Sequence, residues 1–326
     1  MFEKAKMLAA RGENVIFFIT GWTSSEPSLL YYSLNNELKT CNLKVNDHLK
    51  VVMCTSASDI KKQIAGKNNL HLFIDEMTWS EYAYQEFIDL MEDISPDTYL
   101  WAAIGRIANN FLWDVIKIKE MMVEEYGFHI PNLCHVLRNS KQIFDCALNF
   151  SYLLPTECWS WSAAKEVTTP SNQTCGPTPI DIVQKSSLDE SIAECFQHFP
   201  TSGGKILVII NFPTFPSQES DRLVSRLKEI VKTVRRCSPL VAIRKYSCGP
   251  LDEETRTAVK EWVENTNEQP QDLMVDSTFI GGFEWPSVLY LNFSNSYDSY
   301  NPFRQRNCIM RAMSRLVILN VDMDWY

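Results

Sequence analysis

The feature that most constrains this chain is its alternation of short apolar runs with longer amphipathic segments. "NVIFFIT", "KVVMC", "LHLFIDE" and "TYLWAAIG" are too short and too rich in β-branched and aromatic residues for buried helices, and read as buried strands. Between and beside them, "EKAKMLAAR", "SDIKKQIAG", "SEYAYQEFIDLMED" and "NNFLWDVIKIKEMMVEEYG" have helical spacing. Gly12 follows the first helix as a stop, and Ser80 is placed to cap the third. Strands that alternate with helices form parallel sheets covered on both faces. A second series begins near residue 130, with "LCHVLRN", "IDIVQ", "KILVIINF", "LVAIRKY", "DLMVDST", "SVLYLNF" and "LVILNV" as strands. Its helices are "SKQIFDCALNF", "LDESIAECFQHF", "QESDRLVSRLKEIVKTVRR", "LDEETRTAVKEWVEN" and "FRQRNCIMRAMS". The fold class is therefore α/β, with two domains spanning residues 1–129 and 130–326.

Composition narrows the function classes. Apolar residues make up 45% of the 326 residues, enough for packed cores. The formal charge of −9 does not support a broad nucleic-acid-binding face, which needs clustered Lys and Arg. No run approaches the roughly 20 apolar residues of a membrane span. The N-terminal residues lack the three-part pattern of a secretory signal, and the ten cysteines form no CxxC pair. An intracellular protein, cytoplasmic or nuclear, with reduced thiols is the expectation. His129, Cys134 and His135 cluster in sequence, but a strand sends neighbouring side chains to opposite faces, so a zinc site is not expected. Trp159 and Trp161 are expected to pack across their loop in preference to stacking a base.

The candidate chemistry starts at "LFIDE". Asp-Glu occurs three times, at 75–76, 189–190 and 252–253. The last two open helices, where acids complement the helix dipole. The first follows an apolar strand, so Asp75 and Glu76 emerge at a strand's carboxyl end, where open α/β sheets bind ligands.

From here the order of signals resembles the superfamily 1 helicase-like P-loop NTPases (UvrD- and Schlafen-like helicase cores). "LFIDE" resembles their Walker B strand and "LWAAIGRIANN" their γ-phosphate-sensing turn. "LCHVLRNSKQI" resembles the segment that opens their second domain, and "CGPTPIDIVQKSSLDESIAECF" and "KILVII" follow in order. "GGFEWPSVLYLN" and "CIMRAMSRLVIL" complete the series. The resemblance implies two RecA-like domains with ATP and magnesium bound between them. Asp75 would serve Mg²⁺ and Glu76 would orient or activate water. Arg138 and Arg311 would sense phosphate, Arg311 being placed on a helix and preferred to Arg315 by its spacing. Glu284 would contact the ribose. In the sensing turn Arg106 and Asn109 stand where the family usually carries an acid and a Gln, with Asn109 on the nucleotide side. Nucleic acid is the partner class that the resemblance implies, although "TGWTSSEP", in the place of a nucleic-acid-contacting segment, brings no Lys or Arg.

The chain departs from the family at one decisive point. No GxxxxGK[ST] occurs in it, so no loop of glycine N–H groups with Lys and Ser/Thr can cradle phosphates. "MFEKAKMLAAR" resembles the latter half of the helix that the P-loop opens, so the first domain is expected to lack its N-terminal strand and P-loop. A complete parent would be an ATP hydrolase, and this chain is expected to be weak or inactive. The alternative is a non-catalytic interaction or regulatory module whose open sheet edge binds a protein partner.

Overall fold

The computed structural model describes residues 1–20, 29–54, 56–77, 83–104, 120, 122–129, 139–149, 175–184, 187–200, 204–211, 217–243, 251–264, 271–277, 280, 283–294, 305 and 308–322. The chain divides into two compact units, Met1–Asn132 and Leu133–Tyr326. Each is a parallel sheet with helices on both faces, the RecA-like α/β arrangement.

Unit 1 runs α1 (Phe2–Ala10), β1 (Asn14–Thr20), α2 (Leu29–Lys39), α3 (Leu43–His48), β2 (Leu49–Cys54), α4 (Ala57–Ile64), β3 (Leu70–Met77), α5 (Ala83–Asp93) and β4 (Tyr99–Ile104). The strand order is β2-β1-β3-β4, every pair parallel. Alternation within β1 sends Val15, Phe17 and Ile19 to the side of α1–α3, and Ile16 and Phe18 to the side of α4 and α5. Both faces are apolar, which is why the run reads as continuously hydrophobic. Gly12 ends α1 at φ +91, a conformation that glycine adopts without strain. Ser56 caps α4, its hydroxyl accepting from the N–H of Asp59 at 3.3 Å. Helices α2 and α3 were not expected from the sequence. The first buries Leu29, Tyr32, Leu34 and Leu38, and the second is held at its start by the Asn42 side chain.

The α1 face carries an aromatic ladder across three strands. Phe17 stacks on Phe73 at 6.0 Å, and Phe73 on Trp101 at 5.6 Å. Beside it His71 stacks on Tyr99 at 4.7 Å. Burial holds the His71 imidazole below its usual pKa, with Glu13 opposing and Lys4 adding to the shift. Its Nδ1 is buried without a hydrogen-bond partner. A base whose folded pKa is depressed favours folding while neutral. As pH falls below about 6.5, the unfolded chain takes up a proton before the folded one does, and stability drops. His71→Phe keeps the stacking and removes the titration. Urea melts at pH 7.5 and pH 5.5 are expected to show a smaller acid-side loss for the variant than for the wild type. Equal losses would contradict this account.

Unit 2 runs α6 (Lys141–Asn149), β5 (Ile180–Val183), α7 (Leu188–Gln197), β6 (Leu207–Asn211), α8 (Ser217–Arg235), β7 (Leu240–Ala242), α9 (Glu253–Glu264), β8 (Leu273–Asp276), β9 (Trp285–Ser294) and β10 (Ala312–Asp322). Its strand order is β5-β10-β9-β6-β8-β7, again wholly parallel. Leu188, Ile192 and Phe196 of α7 and Leu223, Leu227 and Val231 of α8 cover one face, over Val208, Leu289, Leu291 and Leu319. Asp272 fastens the start of the sheet. Fully buried, it accepts from the Ile206 N–H at 2.9 Å and from Arg235 Nε at 2.8 Å. Arg235 ends α8, so one carboxylate joins a helix end to two strand starts.

In unit 2 an expected helix ends early. "FRQRNCIMRAMS" does not continue as a helix through Arg311. Residues 308–309 are helical, Arg311 lies in a turn, and Ala312 already belongs to β10. The Arg311 N–H donates to Cys308 O and its carbonyl accepts from Trp285 N–H at 2.9 Å, which starts pairing with β9. Strand pairing along β9 supplies more bonds than a further helical turn, and overrides the local spacing.

Candidate functional site

β3 sits between β1 and β4, and its carboxyl end carries the acid pair. Ile19 of β1 is the register partner of Asp75, which is half-buried. On the other side the ladder with β4 slips. Ile74 pairs with Ala102 and Met77 with Ile104, so β3 holds one residue more than β4 across Asp75 and Glu76. Such a bulge bends the strand and re-aims side chains, and bulges recur beside active sites. The Glu76 backbone belongs to β3, whereas its side chain lies outside the described residues.

The other two Asp-Glu pairs have visible structural work. Asp189 and Glu190 occupy the first turn of α7, and Asp189 accepts from Arg226 at 2.8 Å. Asp252 caps α9 by accepting from the Thr255 N–H at 2.7 Å. Among the three pairs, the first alone ends a strand.

In unit 2 the structure brings four motif segments together at the amino ends of β9 and β10. Asn139, only 3% exposed, donates from Nδ2 to Met310 O at 2.8 Å and to Ala312 O at 2.6 Å. Those carbonyls stand on either side of Arg311. Trp285 pairs with Ala312 across the ladder, which places the half-buried Glu284 beside the same turn. Gly176 of the "GPTP" stretch packs there too, its N–H donating to Gln142 Oε1 at 2.8 Å. A Cβ on Gly176 would come within 2.7 Å of the Ser140 side chain, so this close approach needs glycine. Arg315, the rival to Arg311, donates to His198 O and thereby ties β10 to the end of α7. Arg106, Asn109, Arg138, Trp159, Trp161, Cys134 and His135 lie outside the described residues.

Sequence reasoning missed a polar row across the carboxyl ends of the second sheet. The Ser277 hydroxyl donates to Asn211 Oδ1 at 3.4 Å, Asn211 Nδ2 to Asn292 Oδ1 at 3.2 Å, and Asn292 Nδ2 to Asn320 Oδ1 at 2.9 Å. Asn320 Nδ2 completes it on Asp181 Oδ1 at 2.7 Å. Burial raises the Asp181 carboxyl above the usual range, against the Asn320 bond. The signal was present as an Asn after the apolar run in "VIIN", "LYLN" and "VILN". The row can accept and donate hydrogen bonds at a ligand-binding edge, and it satisfies polar groups that would otherwise be buried unpaired.

A cavity of about 620 Å³ opens at the amino ends of β1–β3, lined in part by Asn14, His48, Lys50 and Lys67. It lies at the opposite end of the strands from Asp75. Among the described residues no group of three His, Cys, Asp or Glu is placed to hold a metal, and no helix is long and apolar enough to cross a membrane.

No protein-family model matches the chain, and no curated protein matches it in sequence. Solved structures similar to it include a viral helicase and a DEAD box protein. The NS3-like helicase from Alongshan virus aligns over 98% of this chain and 70% of its own, at 9% identity and a TM-score of 0.40. A DEAD box protein from Methanococcus jannaschii aligns over 98% of this chain and 78% of its own, at 12% identity and a TM-score of 0.35. Similarity at this level is a likeness of fold and carries no assignment of activity.

Proposed function

We propose that the chain is a helicase-like NTPase core in which Asp75 and Glu76 are the magnesium- and water-handling acids. The observation that supports this most is the acid pair at a bulged carboxyl end of an internal strand in a wholly parallel sheet. The residues suit Mg²⁺, which proteins commonly bind through one or two carboxylates together with substrate phosphates. Asp75 would hold the ion and Glu76 would orient water. The ion would supply charge neutralisation at the phosphates. Arg138 and Arg311 as phosphate sensors, and Glu284 and Asn109 as nucleotide contacts, belong to the same reading. Phosphoryl transfer depends chiefly on positioning and charge stabilisation, and the phosphate cradle is the part that this sequence does not contain. Hydrolysis by this chain is therefore expected to be near background.

Mg²⁺-dependent ATP turnover of the purified 326-residue chain tests this. Wild type and Glu76→Gln are expected to give the same residual rate. Robust turnover abolished by Glu76→Gln would contradict the proposed impairment. The second reading is a non-catalytic interaction module, favoured by the acidic net charge of −9 and by the exposed aromatics on an edge strand. A nucleic-acid-binding role without hydrolysis would show as single-strand binding that weakens steeply with salt.

A further inference from the structure

Four consecutive backbone carbonyls around Arg311 are held by distant parts of the chain. Met310 O and Ala312 O both accept from Asn139 Nδ2, at 2.8 and 2.6 Å. Arg311 O accepts from the Trp285 N–H at 2.9 Å, and Met313 O from the Ser140 N–H at 3.0 Å. Strand pairing alone does not hold this stretch. The β9–β10 ladder shifts between Ala312 and Arg315, where β10 carries one residue more than β9. The Asn139 side chain supplies bonds where the ladder is irregular. Both of its partners are acceptors, so the amide nitrogen must face them, and its two hydrogens suffice for both. Its own support is firm. The Ser140 carbonyl accepts from the Phe144 N–H at 3.1 Å at the start of α6, and α6 buries Ile143 and Phe144.

We infer that Asn139 is a positioning residue for Arg311, fixing the backbone from which that arginine reaches a nucleotide's terminal phosphate. The inference rests on the nucleotide-site reading of this chain. Arg311 is the residue between the two carbonyls that the amide holds. An arginine binds phosphate through hydrogen bonds of fixed geometry, and a displacement of about 1 Å at such a group forfeits much of its effect. Asn139 touches no phosphate itself and acts through the turn. Selectivity separates this from a purely structural role. A residue that acts through Arg311 affects a triphosphate more than a diphosphate, whereas general loosening weakens both alike.

Thermal-shift titrations of the full chain with Mg-ATP and with Mg-ADP give the two dissociation constants. Wild type, Arg311→Ala, Asn139→Ala and the double variant are compared. The wild type is expected to bind ATP more tightly than ADP. Arg311→Ala should weaken ATP binding about tenfold and ADP binding less than about twofold, the loss of one charged hydrogen-bonding partner. Asn139→Ala should show the same pattern, with ATP weakened about fivefold and ADP nearly unchanged. The double variant should match Arg311→Ala within about twofold, because residues that act as one unit are not additive. Asn139→Ser keeps a hydroxyl donor, should fall between wild type and Asn139→Ala, and serves if the alanine variant does not fold. Ser140→Ala removes a buried hydroxyl that has no partner, and should leave both constants unchanged. Equal losses for ATP and ADP in the Asn139 variants, or no loss, overturn the inference and leave the nucleotide site standing. Losses that add in the double variant do the same. A wild type that binds neither nucleotide, or both equally, overturns the phosphate-sensing reading of Arg311 itself, and the inference with it.

Discussion

Asp272→Ala is expected to destabilise the protein by about 3–5 kcal/mol, a large part of the roughly 5–15 kcal/mol that a domain has. The carboxylate is fully buried and the Arg235 side chain is 12% exposed. Removing the acid leaves a nearly buried guanidinium without its counter-charge and the Ile206 N–H without its acceptor. The cost is that of the stranded groups more than the worth of the pair itself. The double change Asp272→Leu with Arg235→Met should therefore cost less than Asp272→Ala alone. Urea unfolding monitored by circular dichroism measures both. A double variant less stable than the single would contradict this view of the pair.

Asn139→Ala is the second large effect. Its amide nitrogen serves two carbonyls, Met310 O and Ala312 O, in a position closed to water. An unsatisfied buried acceptor costs about 1–3 kcal/mol, so two give an expected loss of about 2–6 kcal/mol. Asn139→Asp should be at least as damaging near neutral pH, because it points a carboxylate at two carbonyl oxygens. Its loss should shrink as pH falls, since a protonated acid can donate one of the two bonds. Thermal unfolding of both variants at pH 7 and pH 4.5 checks the order. A benign Asn139→Asp at pH 7 would show that the amide donors do not hold the Arg311 turn.

The parts of the fold legible in the sequence are those set by local pattern. "NVIFFIT" and "LHLFIDE" are apolar throughout because both of their faces are covered, and short length with β-branched content marks them as strands. What was not legible depends on partners distant in the chain. "CIMRAM" has helical spacing, but β10 is decided by nine register pairs with β9. Asn139 looked like part of an arginine motif, while its partners lie 171 and 173 residues away. The six-residue α3 is too short to show a period, and its start is fixed by one Asn42 side-chain bond. For the candidate site, the sequence separated Asp75–Glu76 from the two helix-opening pairs. It could not show the bulge at that position, because a bulge is a relation between two strands.

The central claim is that unit 1 keeps the acid end of a nucleotide site. Thermal unfolding of the chain in Mg²⁺ with increasing ATP, beside Asp75→Asn and Arg311→Ala, tests it most directly. A ligand at ten times its Kd stabilises the folded state by about 1.4 kcal/mol, so even millimolar affinity is visible at about 10 mM ATP. The predicted result is a rise in melting temperature that depends on Mg²⁺ and is reduced in both variants. No shift at 10 mM Mg-ATP, or an equal shift in all three proteins, would contradict the claim.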